Sequence, residues 1–121
     1  MDQTHYDLEE RTTQFSEDVV MITRRYKKDQ LLFPILSQLL RAGTSIGANY
    51  CEANGASSKR DFINKIYICK KEAKETEYWL RVLISAVPES CEQCEKLKKE
   101  AHELTLIFSK IAATAREGIK N

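Results

Sequence analysis

The chain has 121 residues, of which 42% are hydrophobic and 31% charged, and its net charge is only +1. That suits one domain around one core and leaves no case for nucleic-acid binding built on global charge. No apolar run approaches the length needed to span a bilayer, and the polar, acidic start Met1-Asp2-Gln3-Thr4-His5 lacks a signal-peptide core, so a cytoplasmic protein is expected.

With only four glycines and two prolines, few turns are needed and long helices are favoured. In a first helix over about residues 6–27, Leu8, Thr12, Phe15, Val19, Ile22 and Tyr26 alternate spacings of four and three, the signature of a core stripe. Residues 2–18 are mostly acidic, whereas Arg24, Arg25, Lys27 and Lys28 form a tight basic cluster. Residues 28–33 connect to a second helix over about 34–54, which Pro34 opens. Its core side holds Leu36, Leu39, Leu40, Gly43, Ile46 and Tyr50, and Asn54-Gly55 offers a left-handed residue to close it. Ser58 and Asp61 resemble a capping box for a third helix over about 58–86. Phe62, Ile66, Cys69, Ala73, Thr76, Leu80 and Leu83 keep the rhythm there, and Lys59, Arg60, Lys65, Lys70, Lys71 and Lys74 make a second basic stretch. Ser90 with Gln93 is a further capping box, opening a fourth helix over about 90–117 with Cys94, Leu97, Ala101, Leu104, Phe108, Ile111 and Ala115 inward and Gly118 at its end. Four long helices with short connections predict an all-α, antiparallel up-down-up-down four-helix bundle, with crossing angles of roughly 20°.

The second helix carries something an amphipathic helix does not need. Arg41, Ser45, Asn49 and Glu52, spaced by four, four and three, form one polar ridge, and Ala42, Gly43, Ile46, Gly47 and Ala48 beside it are mostly small. Small residues admit a neighbouring backbone, and polar groups beside such an approach must be hydrogen-bonded. Folding the second helix back onto the third predicts an Arg41–Glu72 or Arg41–Glu75 pair, with Ser45 and Asn49 bonding nearby groups. Such pairs set register between helices or subunits. Trp79 falls at the edge of the core, where it covers a bundle seam or anchors a subunit contact.

Catalytic chemistry finds little support. Cys91 and Cys94 have a metal-ligand spacing, but Cys69 lies roughly 20 Å down the neighbouring helix and Cys51 farther still, so the four thiols do not converge on a zinc ion. Cys69 and Cys94 are expected in the core. His5 and His102 lack partners at ligand spacing, and no nucleophile–base set or phosphate-cradling loop can be assembled. No enzyme activity, cofactor, metal or small-molecule substrate is expected.

Arg41, Ala42, Ser45, Ile46, Asn49 and Glu52, then Ser58, Asp61 and Phe62, then Lys71, Glu72, Glu75, Thr76, Tyr78, Trp79 and Leu80 form an ordered set. In that order they resemble the small four-helix-bundle proteins encoded by reading frames within 23S ribosomal RNA intervening sequences. That family is similar in turn to the accessory protein of diversity-generating retroelements. The resemblance covers roughly the central third of the chain. It implies a homo-oligomer, with a pentameric ring around a central channel as the expected form, and for the accessory protein it implies binding to nucleic acid and reverse transcriptase. The strongly basic surface of that accessory protein is not evident at a net charge of +1.

Two functions are weighed from this. The first is a non-catalytic protein associated with ribosomal RNA or another structured RNA or DNA, with the two basic stretches as contacts; the plainer reading of such stretches is a solvated helix face. The second is a protein-interaction scaffold or accessory subunit, for example to a reverse transcriptase, using apolar residues outside the stripes such as Val20, Met21, Ile63 and Ile84.

Overall fold

The computed structural model describes the backbone of residues 3–120 and the side chains of residues 8–118; His5 therefore lies outside the described side chains. Four α-helices account for nearly all of it: α1 (Gln3–Tyr26), α2 (Phe33–Asn54), α3 (Lys59–Ala86) and α4 (Cys91–Lys120). Single 3-10 turns at Gln30–Leu32 and Pro88–Ser90 join α1 to α2 and α3 to α4, and no strand occurs among the described residues.

Cross-helix pairs fix the topology. Arg41 meets Glu72 while Glu52, farther along α2, meets the earlier residue Lys65 of α3. On the next seam Thr105 meets Glu77 and Arg116 meets Tyr67. Arg11 grips Glu100 with two bonds of 2.6 and 3.0 Å, and Arg25 reaches Gln93. Between α1 and α2, Gly43 faces Val19 and Gly47 faces Thr12; in each seam one partner number rises as the other falls, so the neighbours are antiparallel and the bundle runs up-down-up-down.

The predicted stripes form the core. Phe15, Val19, Leu39, Ile46, Ile66, Leu80, Leu83, Leu104 and Phe108 are all but sealed from solvent, with Tyr50 tilted on Phe108 at 6.0 Å between ring centroids. The buried hydroxyls of Thr76 and Thr105 donate to carbonyls of their own helix, at Glu72 and Ala101, and no buried side-chain nitrogen or oxygen among the described residues lacks a partner. That is the condition for polar atoms to sit in such a core without a penalty of about 1–3 kcal/mol each.

Several local expectations are corrected. Leu40 is exposed at the edge of the core, while Ile63 is buried and Ile84 half-buried. On α4 the buried line steps from Phe108 to Ala112 and leaves Ile111 half-buried, because a straight helix of 3.6 residues per turn drifts off a strict seven-residue repeat. Gly55 has φ −101°, outside the left-handed region; α2 closes by tightening, the Gly55 N–H donating to the Glu52 carbonyl at 3.1 Å. α4 runs past Gly118 to Lys120. Ser58 caps α3 as predicted, its hydroxyl accepting from the Asp61 N–H at 3.0 Å. Ser90 does not mirror it: its hydroxyl turns inward and donates to the Val87 carbonyl, and Gln93 is engaged by Arg25. The segment Gln30–Asn54 is, by length and composition alone, apolar enough to cross a membrane, with a mean hydropathy of 1.2. Here its apolar face instead supplies Leu36, Leu39, Ala42, Ile46 and Tyr50 to the bundle core, and its length includes the ion-paired Arg41.

Candidate nucleic-acid interface

The ridge of α2 lies along its seam with α3. Arg41 bridges two carboxylates one turn apart, donating from Nη1 to Glu72 at 2.9 Å and from Nη2 to Glu75. Glu72 is the buried member, its side chain 7% exposed, whereas the Arg41 side chain is 47% exposed. Partial desolvation opposes the charge on Arg41, but the two carboxylates outweigh it and hold the guanidinium pKa above its ordinary value. Glu75 also accepts from the Trp79 indole N–H at 3.2 Å, and Tyr78 packs edge-on against Trp79 at 5.0 Å. Trp79 is thus half-buried against the core, beside the Arg41 clasp. At the other end of the ridge Lys65 donates to Glu52 at 2.8 Å, which raises the Lys65 pKa, first through the hydrogen bond and then through the charge.

Both predicted acidic partners of Arg41 are used. Ser45 and Asn49, in contrast, bond backward within α2, to the carbonyls of Arg41 and Ser45. The small residues of α2 serve a different neighbour from the ridge. A methyl group at Gly43 would fall 2.8 Å from Val19, and one at Gly47 would fall 3.3 Å from the Thr12 carbonyl oxygen, both on α1. The helix therefore uses one face to approach α1 closely and another to clasp α3.

The two basic stretches are not brought together. Arg24, Arg25, Lys27 and Lys28 are exposed at the α1–α2 end of the bundle, Arg25 and Lys28 beside Ala86, Val87 and Glu89 and Arg24 and Lys27 beside Phe33 and Leu36. Lys59 stands at the far end of α3, roughly 40 Å away, close against Gly118. Within the second stretch, Lys65 is neutralised by Glu52 and Lys70 is half-buried, whereas Arg60, Lys71 and Lys74 are exposed. Arg81 continues their face: none of Arg60, Lys71, Lys74 and Arg81 makes an ion pair with another described residue. Sequence reading overlooked that Tyr67 and Tyr78 are interleaved with these cations on the same face. The signal was there in spacings of seven, four, three, four and three from Arg60 to Arg81.

A different surface lies across the bundle. Phe33 is 72% and Leu31 82% exposed. Phe33, Leu36 and Leu40 line a groove of about 300 Å3 between α1 and α2, with Thr23, Arg24, Lys27 and Ser37 around them.

No three His, Cys, Asp or Glu side chains among the described residues are grouped to hold a metal ion. All four cysteines are free thiols. Burial pushes the Cys69 thiol up to about 12 and raises that of Cys94, and Cys69 donates to the Ile46 carbonyl at 3.5 Å. Such thiols are packing groups and poor nucleophiles. His102, on the surface of α4, sits 3.5 Å from Glu77.

Fold and surface thus define a helical bundle with a basic outward helix and an apolar corner. The family model of the 23S rRNA-intervening sequence protein matches residues 5–110, and the chain belongs to that family. Among solved structures it is similar to a protein of unknown function from the S23 ribosomal protein family of Bacteroides thetaiotaomicron VPI-5482. The two are 38% identical over 86% of this chain and 96% of the other, with a TM-score of 0.80. No curated protein matches the chain.

Proposed function

We propose that this chain is a non-catalytic, cytoplasmic homo-oligomer that associates with structured RNA or DNA, ribosomal RNA foremost. The observation that carries the reading is the outward face of α3, where Arg60, Lys71, Lys74 and Arg81 are exposed and without carboxylate partners among the described residues. Three of the four acids of the same helix are otherwise engaged, Glu72 and Glu75 by Arg41 and Glu77 by Thr105 and His102, and the fourth, Asp61, lies close enough to Lys65 to raise its pKa. A near-neutral chain thereby presents a local cationic strip, and an oligomer multiplies it.

Self-association is assigned to the α1–α2 corner. An apolar surface of this kind marks a protein contact. Its rim is basic at Arg24 and Lys27, while Glu10, Glu17 and Asp18, earlier on the same helix, are exposed. A second copy shifted along α1 sets these acids against that rim, and a ring of five is the form expected from the resemblance. The same corner favours one alternative, an accessory subunit whose groove takes a different protein such as a reverse transcriptase.

A gel-shift titration with structured RNA at two salt concentrations tests the nucleic-acid reading. Binding at low salt that weakens steeply as salt rises supports it; no shift at low salt removes it. Light scattering tests the corner: a multiple of 14.0 kDa is expected for the wild type and a smaller particle for Leu40→Glu. A wild-type monomer at micromolar concentration would overturn self-association and leave the accessory-subunit alternative.

A further inference from the structure

We infer that the outward face of α3 binds unpaired nucleotides, with Tyr67 and Tyr78 as stacking platforms for bases and the interleaved cations on the phosphates; this rests on the nucleic-acid reading above and narrows its ligand. Arg60, Tyr67, Lys71, Lys74, Tyr78 and Arg81 all lie exposed on one side of a single straight element. From Arg60 to Arg81 the strip is roughly 30 Å long, the length of about nine stacked nucleotides of one strand. The two rings are separated by roughly 16 Å, with Lys71 and Lys74 between them.

The rings are large apolar groups held in the open where the core has no use for them. Tyr78 is 57% exposed and braced edge-on by Trp79; Trp79 is itself pinned to Glu75, which Arg41 holds. Tyr67 is 37% exposed, and its hydroxyl accepts a bond of 2.9 Å from Arg116 of α4. Each ring is thus set before a ligand arrives, and Arg116 adds a cation beside the first.

A charged strip alone would serve a duplex as well as a single strand. Aromatic rings do not, because a duplex keeps its base faces stacked inside and offers the protein only phosphates and groove edges. Cations on the backbone with aromatics at base level is the arrangement that favours a single strand, a loop or a bulge, with little sequence preference. The α1–α2 corner lies on a different side of the bundle, so self-association there leaves this strip open.

The test uses the full-length chain at low salt with a fluorescently labelled twelve-nucleotide uridine RNA, the matching DNA, and a blunt RNA duplex of the same length. Binding is read by anisotropy and by the emission of Trp79, the only tryptophan, which touches Tyr78. The wild type is expected to hold the single strands more tightly than the duplex and to change its tryptophan emission only with them. Tyr78→Ala should weaken single-strand binding between about five- and a hundredfold, leave duplex binding unchanged, and be rescued by Tyr78→Phe; Tyr67→Ala should behave alike. Lys71→Glu with Lys74→Glu should weaken every nucleic acid. If the tyrosine variants bind all three probes like the wild type while the charge reversals do not, the nucleic-acid reading stands and the stacking inference falls. If the wild type binds none of the three, and structured RNA also fails to shift, both fall together.

Discussion

Replacing Arg41 by alanine is the sharpest perturbation of the α2–α3 clasp. The substitution leaves Glu72 with a side chain 7% exposed and no counter-charge, whereas Glu75, 31% exposed, remains free to hydrate. Stranding a fully buried carboxylate costs about 3–5 kcal/mol. The 47% exposure of Arg41 lets water reach the gap and screens the pair, which brings the figure to about 2 kcal/mol. For a chain of 121 residues, an unfolding entropy of about 2.1 cal/mol/K per residue makes 1 kcal/mol equal to about 4 °C in Tm, so the variant should melt about 8 °C lower. The assay is thermal unfolding by circular dichroism at one fixed protein concentration, because self-association would make Tm concentration-dependent. A double-mutant cycle with Glu72→Gln isolates the pair: its coupling should exceed 1 kcal/mol, and the coupling to Glu75→Gln should be about half that. Light scattering on the same samples separates folding from assembly. If Glu72→Gln is as costly beside alanine at position 41 as it is in the wild type, Arg41 is not what stabilises the buried carboxylate and the clasp is a surface ornament.

Other consequences can be checked on the same material. Gly43→Ala places a methyl group 2.8 Å from the fully buried Val19 and should destabilise by about 1–3 kcal/mol less the helix-propensity gain of about 1 kcal/mol. Gly47→Ala, with its nearest contact at 3.3 Å, should be near neutral, and Val19→Ala should remove the difference between the two; equal effects of the two glycine substitutions in urea unfolding would contradict the packing account. Burial raises the Cys69 thiol pKa from 9.0 to about 12, so its contribution is whole below pH 9, where the unfolded thiol is also protonated. It should be lost as pH climbs from about 9 toward 12, by at most about 1.4 kcal/mol per pH unit. The urea midpoint should therefore fall over that range less steeply in Cys69→Ala than in the wild type. A thiol reagent at pH 8 should modify two cysteines fast, the exposed Cys51 and Cys91, and two only as the protein opens, the buried Cys69 and Cys94.

The bundle was legible because its signal is repeated. Each helix writes its buried face six or seven times over, and no single residue decides the outcome. Residues at the margins of those faces were not legible: Leu40 and Ile63 sit where a turn of a few tens of degrees trades exposure for burial, and only the packing of neighbouring helices sets it. Helix ends failed for a similar reason. Asn54-Gly55 permits a left-handed closure, yet a tightened final turn satisfies the same N–H, and sequence does not choose between two caps of nearly equal energy. Ser58 and Ser90 look alike as N-caps; one faces solvent and caps, while the other is buried and donates inward because Pro88 starts a 3-10 turn under it. The Arg41 clasp was readable because antiparallel register and the i, i+3 pair Glu72–Glu75 leave few partners. The tyrosine-and-cation strip is hard to read from sequence because it shares α3 with a core stripe of the same four-three spacing on the opposite side.

The central claim, an assembly of bundles that carries nucleic acid without transforming it, is tested most directly by size-exclusion chromatography with light scattering on the chain mixed with structured RNA at low salt. The expected result is one peak that absorbs as RNA, whose protein mass is several times 14.0 kDa and whose RNA emerges chemically intact. A 14.0 kDa protein peak eluting apart from the RNA would contradict it.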